Sequence, residues 1–275
     1  MEFPRLSTWL TGLSLTGVIL FVFATMSLAA FAGHLAQVMM RRAVPATKED
    51  HNQESYLVGS MLGILALLMA FSFSMALDRY EERRHLVIQE ANAIGTAYLR
   101  TQLLDEPYRT RLSQMLVAYT DNRIALGTGS RADVGQQLAL NDKLLTDIWA
   151  AVVAARGSAN AHGLTTGILI TFNEVIDLDT ERKVARQVRV PAPVLTLLYV
   201  YLILTAAVLG YVVEERRARL GVFVLFILLS LYGSIIADLN RPTSGNIKES
   251  QEPMLMLQQS LKSQPPAAFD KFPSS

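Results

Sequence analysis

Four stretches of this chain, residues 9–32, 57–77, 190–213 and 220–237, contain no Asp, Glu, Lys or Arg. The first runs for about 36 Å as a helix at 1.5 Å per residue, enough to cross a hydrocarbon core of roughly 30 Å with some tilt. A charge at the centre of a membrane helix costs about 2.5–3.5 kcal/mol on insertion scales, so four uncharged runs of this kind read as membrane spans rather than soluble core helices. The charged fraction is 18%, below the roughly 25% of ordinary globular chains. With 25 Lys+Arg against 24 Asp+Glu and a net charge of +1, the chain has no concentrated basic surface, which argues against a nucleic-acid partner. It has no cysteine, which excludes disulfides, iron–sulfur clusters, thiolate zinc sites and cysteine nucleophiles.

The expected organisation is all-α: an integral membrane protein with four transmembrane helices and a helical extramembrane insert between helices two and three. Residues 1–77 hold the first two spans, 78–189 the insert, 190–239 the last two spans, and 240–275 a polar, partly disordered tail. Residues 27–33 include small side chains of the kind a signal peptidase accepts. The apolar run is longer than a signal peptide needs and its leader carries Glu2 beside Arg5, so the first span reads as retained.

The insert carries 14 basic and 14 acidic side chains. Span two runs out into it without a proline as far as Leu104. Asp105-Glu106-Pro107 then reads as a cap, followed by helices to about Leu126, over Val134–Arg156 and over Leu164–Arg186, with breaks at residues 127–130 and 157–160. Near the span ends, ten Lys/Arg fall on the insert side and six in the loops 33–56 and 214–219. By the positive-inside rule this places the insert and both termini in the cytoplasm and the chain in an inner (plasma) membrane.

Signals for catalysis are sparse. No phosphate-cradling loop, zinc-protease helix or nucleophile elbow is present, and His34, His51, His85 and His162 are isolated. No cofactor, metal or enzymatic activity is expected. Asp179 is placed to pair with Lys183 one turn on.

Span two is more informative. Gly59 and Gly63 form a small-xxx-small step that would let another helix approach closely, although such steps also arise by chance. Gly63, Leu67 and Phe71 stack at i+4, with Ser74 and Asp78 further along the same face. Copies of this face around an axis would give a hydrophobic constriction capped by carboxylates; from spacing alone, ordinary lipid-facing or interhelical packing is the simpler account. Beyond it, Arg79 falls among the alternating charges of Asp78–Arg84, which a salt-bridged interfacial helix start explains without a function, and Glu90, Asn92 and Arg100 lie in a run otherwise rich in small and apolar residues. That pattern suggests close packing around partly buried, paired polar groups, with Asp238 and Arg241 as possible partners.

Residues 70–84 (AFSFSMALDRYEERR), 90–96 (EANAIGT) and 238–242 (DLNRP) resemble the bestrophin-like family of bacterial membrane proteins over most of residues 55–260. More distantly, the Phe71–Tyr80 exit of span two and the order of two spans, helical insert and two spans are similar to the bestrophins. That resemblance implies a pentameric homo-oligomer conducting inorganic ions, with cytosolic termini and insert and an apolar neck on span two, here Gly63, Leu67 and Phe71. Gly63 stands where a bulky neck residue is expected, and no acidic run resembles the calcium clasp of animal bestrophins. The competing reading is a non-conducting membrane anchor whose helical insert binds a soluble partner.

Overall fold

The computed structural model of the chain describes residues 14–43, 48–129, 133–242 and 245–271; residues 9–13 of the first expected span lie outside these. Every regular element among the described residues is helical. The helices are α1 (Leu15–Ala43), α2 (Lys48–Thr101), α3 (Tyr108–Thr128), α4 (Val134–Ala154), α5 (Arg156–Ala161), α6 (Thr165–Ala185), α7 (Ala192–Val212), α8 (Arg216–Leu239) and α9 (Glu252–Ser263), followed by a 3-10 turn over Pro266–Phe269. Four are long and apolar enough to cross a membrane, at Leu15–Met40, Gln53–Thr101, Ala192–Val212 and Arg216–Leu239.

The chain divides into two compact units, Met1–Tyr80 with Arg189–Ile247, and Glu81–Val188 with Lys248–Ser275. In the first, α1 packs against α7 and α8. Two glycines make this close approach possible. A Cβ on Gly33 would collide with the carbonyl of Ala207, and one on Gly210 with the backbone of Ala30, so α1 and α7 touch backbone to backbone. This small-residue contact differs from the one the sequence suggested. A Cβ on Gly59 or Gly63 would meet nothing within 4 Å in this chain. The apolar core comprises Val18, Met26, Leu65, Met69, Leu202, Ala206 and their neighbours.

The second unit has its own core, in which Ile94, Leu112, Leu116, Ile148, Phe172 and Met254 are fully or almost fully buried. Two helix breaks differ from expectation. Helix α3 runs through Gly127 to Thr128, and glycine suits position 127 because a Cβ there would occupy the space of the Gln251 side chain. The anticipated loop at residues 157–160 is instead the short helix α5.

The tail also departs from a disordered segment, since Glu252–Ser263 is helical with Met254 and Leu261 buried. Amphipathic spacing lets α9 add apolar area to this core, a gain that average polarity conceals. It is held by Asp121, whose Oδ1 accepts from Gln258 Nε2 at 2.5 Å and Lys262 Nζ at 2.9 Å. Arg109 donates to both Asp270 oxygens at 2.7 and 3.1 Å, and Tyr98 Oη donates to the Gln264 carbonyl at 2.7 Å.

Gly210→Val is expected to cost about 1–3 kcal/mol or more by prising α1 from α7, read as a lower Tm in detergent. Gly63→Ala should leave Tm unchanged or slightly raised. A second expectation concerns pH. Partial burial alone would raise Asp121, but Lys262 and Gln258 outweigh it and hold the carboxyl below its ordinary 3.8; hydrogen bonds from Arg109 lower Asp270 from the same value. Both contributions are therefore complete above pH 3.8 and are lost as pH falls through the depressed folded values. Hydrogen exchange across residues 252–271 should accelerate in that acidic window before the rest of the second unit responds.

Candidate functional site

Helix α2 presents two opposite faces in the first unit. Leu65, Met69, Ser72 and Ala76 recur at i, i+4, i+7 and i+11 and are all buried. The Ser72 hydroxyl is satisfied by donating to the Leu68 carbonyl at 2.8 Å, so it adds no unmet polar group to that contact. Gly63, Leu67, Phe71, Ser74 and Asp78 follow the same spacing on the other side, and all five are exposed. Leu67 is 56% and Phe71 61% exposed. The face singled out by sequence spacing is thus one that this chain does not use for its own packing. Gly59 is exposed as well and Arg79 is half-buried.

The expected polar network resolves into two separate sets. In the first unit Asp238 is buried and its carboxylate accepts from the backbone N–H groups of Asn246 at 2.8 Å and Ile247 at 2.9 Å. The loop after α8 closes around it, and Gly245 is required because a Cβ there would lie 2.6 Å from Asp238 Oδ1. Asn240 Oδ1 accepts from the Val190 N–H at 2.8 Å, which ties this loop to the start of α7. Arg241 is buried. Residues 238–242 therefore organise their own loop, and the partners of Glu90 lie elsewhere.

Glu90, with no exposed surface, is the centre of the second set. Tyr119 Oη donates to its Oε1 at 2.9 Å, Arg123 Nε lies 2.8 Å from Oε1, and Arg123 Nη2 donates to Oε2 at 3.1 Å. Arg182 Nη1 also donates to Oε2. Arg123 reaches onward to Asp179 Oδ1 at 2.9 Å, which Asn141 Nδ2 also contacts at 3.0 Å. The expected Asp179–Lys183 pair forms at 2.7 Å, and Lys183 Nζ extends to Asp142 Oδ1 at 2.6 Å. One buried network thereby joins α2, α3, α4 and α6.

Its electrostatics follow from proximity. Burial opposes the Arg123 charge, but Glu90 foremost outweighs it and raises its pKa. Burial, reinforced by the Glu90 carboxylate, pushes the Tyr119 hydroxyl well above its usual range, so it remains a donor. Arg186 lies on the cationic side of the cluster. Burial, then the neighbouring Arg182, pushes it down to about 10, with Glu249 acting in the opposite sense.

Other expected members lie apart. Arg100 Nη1 donates to the Gly167 carbonyl at 2.6 Å and also to the Thr171 hydroxyl, fastening α2 to α6. Asn92 is exposed rather than packed, because two residues along a helix turn it away from Glu90. The sequence reading missed Arg123, although it follows Tyr119 by one turn on the apolar face of α3; that polar residue on a buried stripe was the available signal. Among the described residues, no cluster of three or more His, Asp or Glu could hold a metal ion.

A chain whose described residues form only helices, four of them long and apolar enough to cross a membrane, belongs to the integral membrane proteins. Within that class, the bestrophin-like domain matches residues 26–254, and the chain is a member of the bestrophin-like family. No curated protein sequence matches it. A crystal structure of a variant of a bacterial bestrophin homolog from Klebsiella pneumoniae is similar with a TM-score of 0.68 at 14% identity, covering 91% of this chain and 98% of that one. Another crystal structure of the Klebsiella pneumoniae homolog has a TM-score of 0.64 at 16% identity, covering 94% and 100%. A third, described as a membrane protein, has a TM-score of 0.63 at 15% identity, covering 89% and 98%. At these identities the likeness concerns the fold.

Glu90→Gln keeps the shape of the side chain and removes the charge that balances Arg123 and Arg182 beside Arg186. It is expected to cost roughly 3–5 kcal/mol, the penalty for leaving buried charge uncompensated. The measurement is Tm of the purified protein in detergent.

Proposed function

We propose that this chain is the subunit of a homo-oligomeric ion channel, pentameric as its resemblance to bestrophins implies, with α2 lining the axis. The observation that carries the reading is the continuous exposed face of Gly63, Leu67, Phe71, Ser74 and Asp78 on a helix whose opposite face is buried. Apolar side chains at successive turns would form a constriction that resists wetting, and the Asp78 carboxylates at its exit would favour cations. Gly59, with open space beside it, would admit a neighbouring subunit. Arg79 would flank the Asp78 ring, while Glu90, Arg100, Asp238 and Arg241 hold the scaffold that orients α2.

Family membership supports transport rather than catalysis. The Lys/Arg distribution supports an inner-membrane location with the insert, residues 78–189, and both termini in the cytoplasm.

Purified oligomer reconstituted in liposomes is expected to pass K⁺, Na⁺ or Cl⁻, and Phe71→Ala should raise the flux severalfold by widening the apolar neck. Asp78→Asn should reduce preference for cations. Absence of flux from wild type and Phe71→Ala, in oligomers shown to be inserted, would discard conduction and leave the anchor reading. Unaltered selectivity in Asp78→Asn would remove that residue from the mouth.

A further inference from the structure

Helices α1, α7 and α8 enclose a cleft of about 240 Å³ lined chiefly by Ala30, Phe31, Leu209, Val222, Phe223 and Phe226. Phe31 and Phe223 remain 58% and 50% exposed along it. All three helices are long and apolar enough to cross a membrane, so acyl chain meets this surface wherever no second copy covers it. The apolar lining is complementary to part of a single acyl chain.

The polar end has a directional charge. Arg219 Nη2 lies 3.5 Å from His34 Nδ1, and that same nitrogen is 3.2 Å from Gln37 Oε1. Gln37 Nε2 in turn donates to Glu214 Oε1 at 2.9 Å. This fixes the sense of the chain, since Gln37 offers its oxygen to His34 and His34 Nδ1 must be the donor. A protonated Nδ1 cannot accept from Arg219. The ring therefore adds no negative charge beside the guanidinium, and the Glu214 carboxylate is engaged by Gln37.

Arg219 also lies in the first turn of α8 together with Arg216 and Arg217, with no acidic residue in that turn and Glu215 alone at the N-cap before it. Cations at a helix N-terminus oppose the macrodipole, an arrangement that an external anion would relieve. An apolar cleft beneath an exposed arginine at the end of a membrane helix is complementary to a molecule with an acyl chain and a phosphate.

We propose that this cleft is a specific seat for an anionic glycerophospholipid, with one acyl chain against Phe31, Phe223 and Phe226 and the headgroup phosphate on Arg219. The site is independent of whether the protein conducts ions, because none of its residues belongs to the α2 face.

Delipidated full-length protein, titrated in detergent with phosphatidylglycerol or phosphatidylcholine of the same chains and followed by native mass spectrometry, reads the preference. Phosphatidylglycerol should bind about tenfold more tightly. Arg219→Gln should abolish that difference while leaving the Tm of the lipid-free protein unchanged, and Ser27→Leu, which fills the cleft, should weaken both lipids. Equal retention of the two lipids by wild type, or a preference that survives Arg219→Gln, would overturn the assignment. So would inorganic phosphate competing as well as the lipid, which would mark a simple anion site. The cysteine-free chain permits a further control with Phe223→Cys. Disulfide cross-linking between copies in the bilayer would show the cleft to be covered by protein and overturn the proposal, whereas protection from thiol reagents by phosphatidylglycerol alone would support it.

Discussion

A carboxylate with no exposed surface, Glu90, is the point on which the second unit depends. It accepts from Tyr119 and Arg123 of α3 and from Arg182 of α6, and Arg123 transfers the connection to Asp179 and thus to α4. Apolar contacts are nearly indifferent to rotation of a helix by a fraction of a turn. A buried carboxylate shared by two guanidinium groups and a phenol is satisfied in only one relative setting of the helices that supply them. The leucines and alanines around it contribute area, while the charge network fixes register.

The first unit is fixed by different means. Hydrocarbon surroundings give apolar side chains little reason to leave lipid for one another, so close packing carries more of the association. Gly33 and Gly210 allow the α1 and α7 backbones to meet, and Asp238 secures the loop after α8 through two backbone N–H groups. The unit embedded in lipid is thus set by shape and backbone hydrogen bonding, whereas the unit rich in charge is set by electrostatics.

The four spans were legible because lipid imposes a composition rule on every residue of a span, and the rule needs no tertiary information. The one-sided spacing of Gly63, Leu67, Phe71, Ser74 and Asp78 was legible for the same reason, since 3.6-residue periodicity is local. Pairings across the chain were less accessible. Glu90 was recognisable as an unusual polar residue, but its partners lie 29, 33 and 92 positions away, and DLNRP looked like a plausible source until its own loop geometry accounted for it. Asn92 shows a finer limit, because two residues, little more than half a turn, separate it from the buried Glu90. Helix α9 was obscured because its charged and apolar residues average to a polar tail, although their phase directs Met254 and Leu261 inward.

The division of α2 into a committed and an uncommitted face bears on how such a protein can change. Substitutions at Leu65, Met69 or Ala76 disturb the packing of the chain that carries them. Those at 63, 67, 71, 74 and 78 alter a surface on which this chain's own fold makes little demand. The opposing selective pressures that usually make new activities destabilising are therefore separated by half a helical turn. The exposed face can drift in size and polarity while the scaffold stays intact, which gives a lineage built on this fold room to diversify what its α2 face contacts.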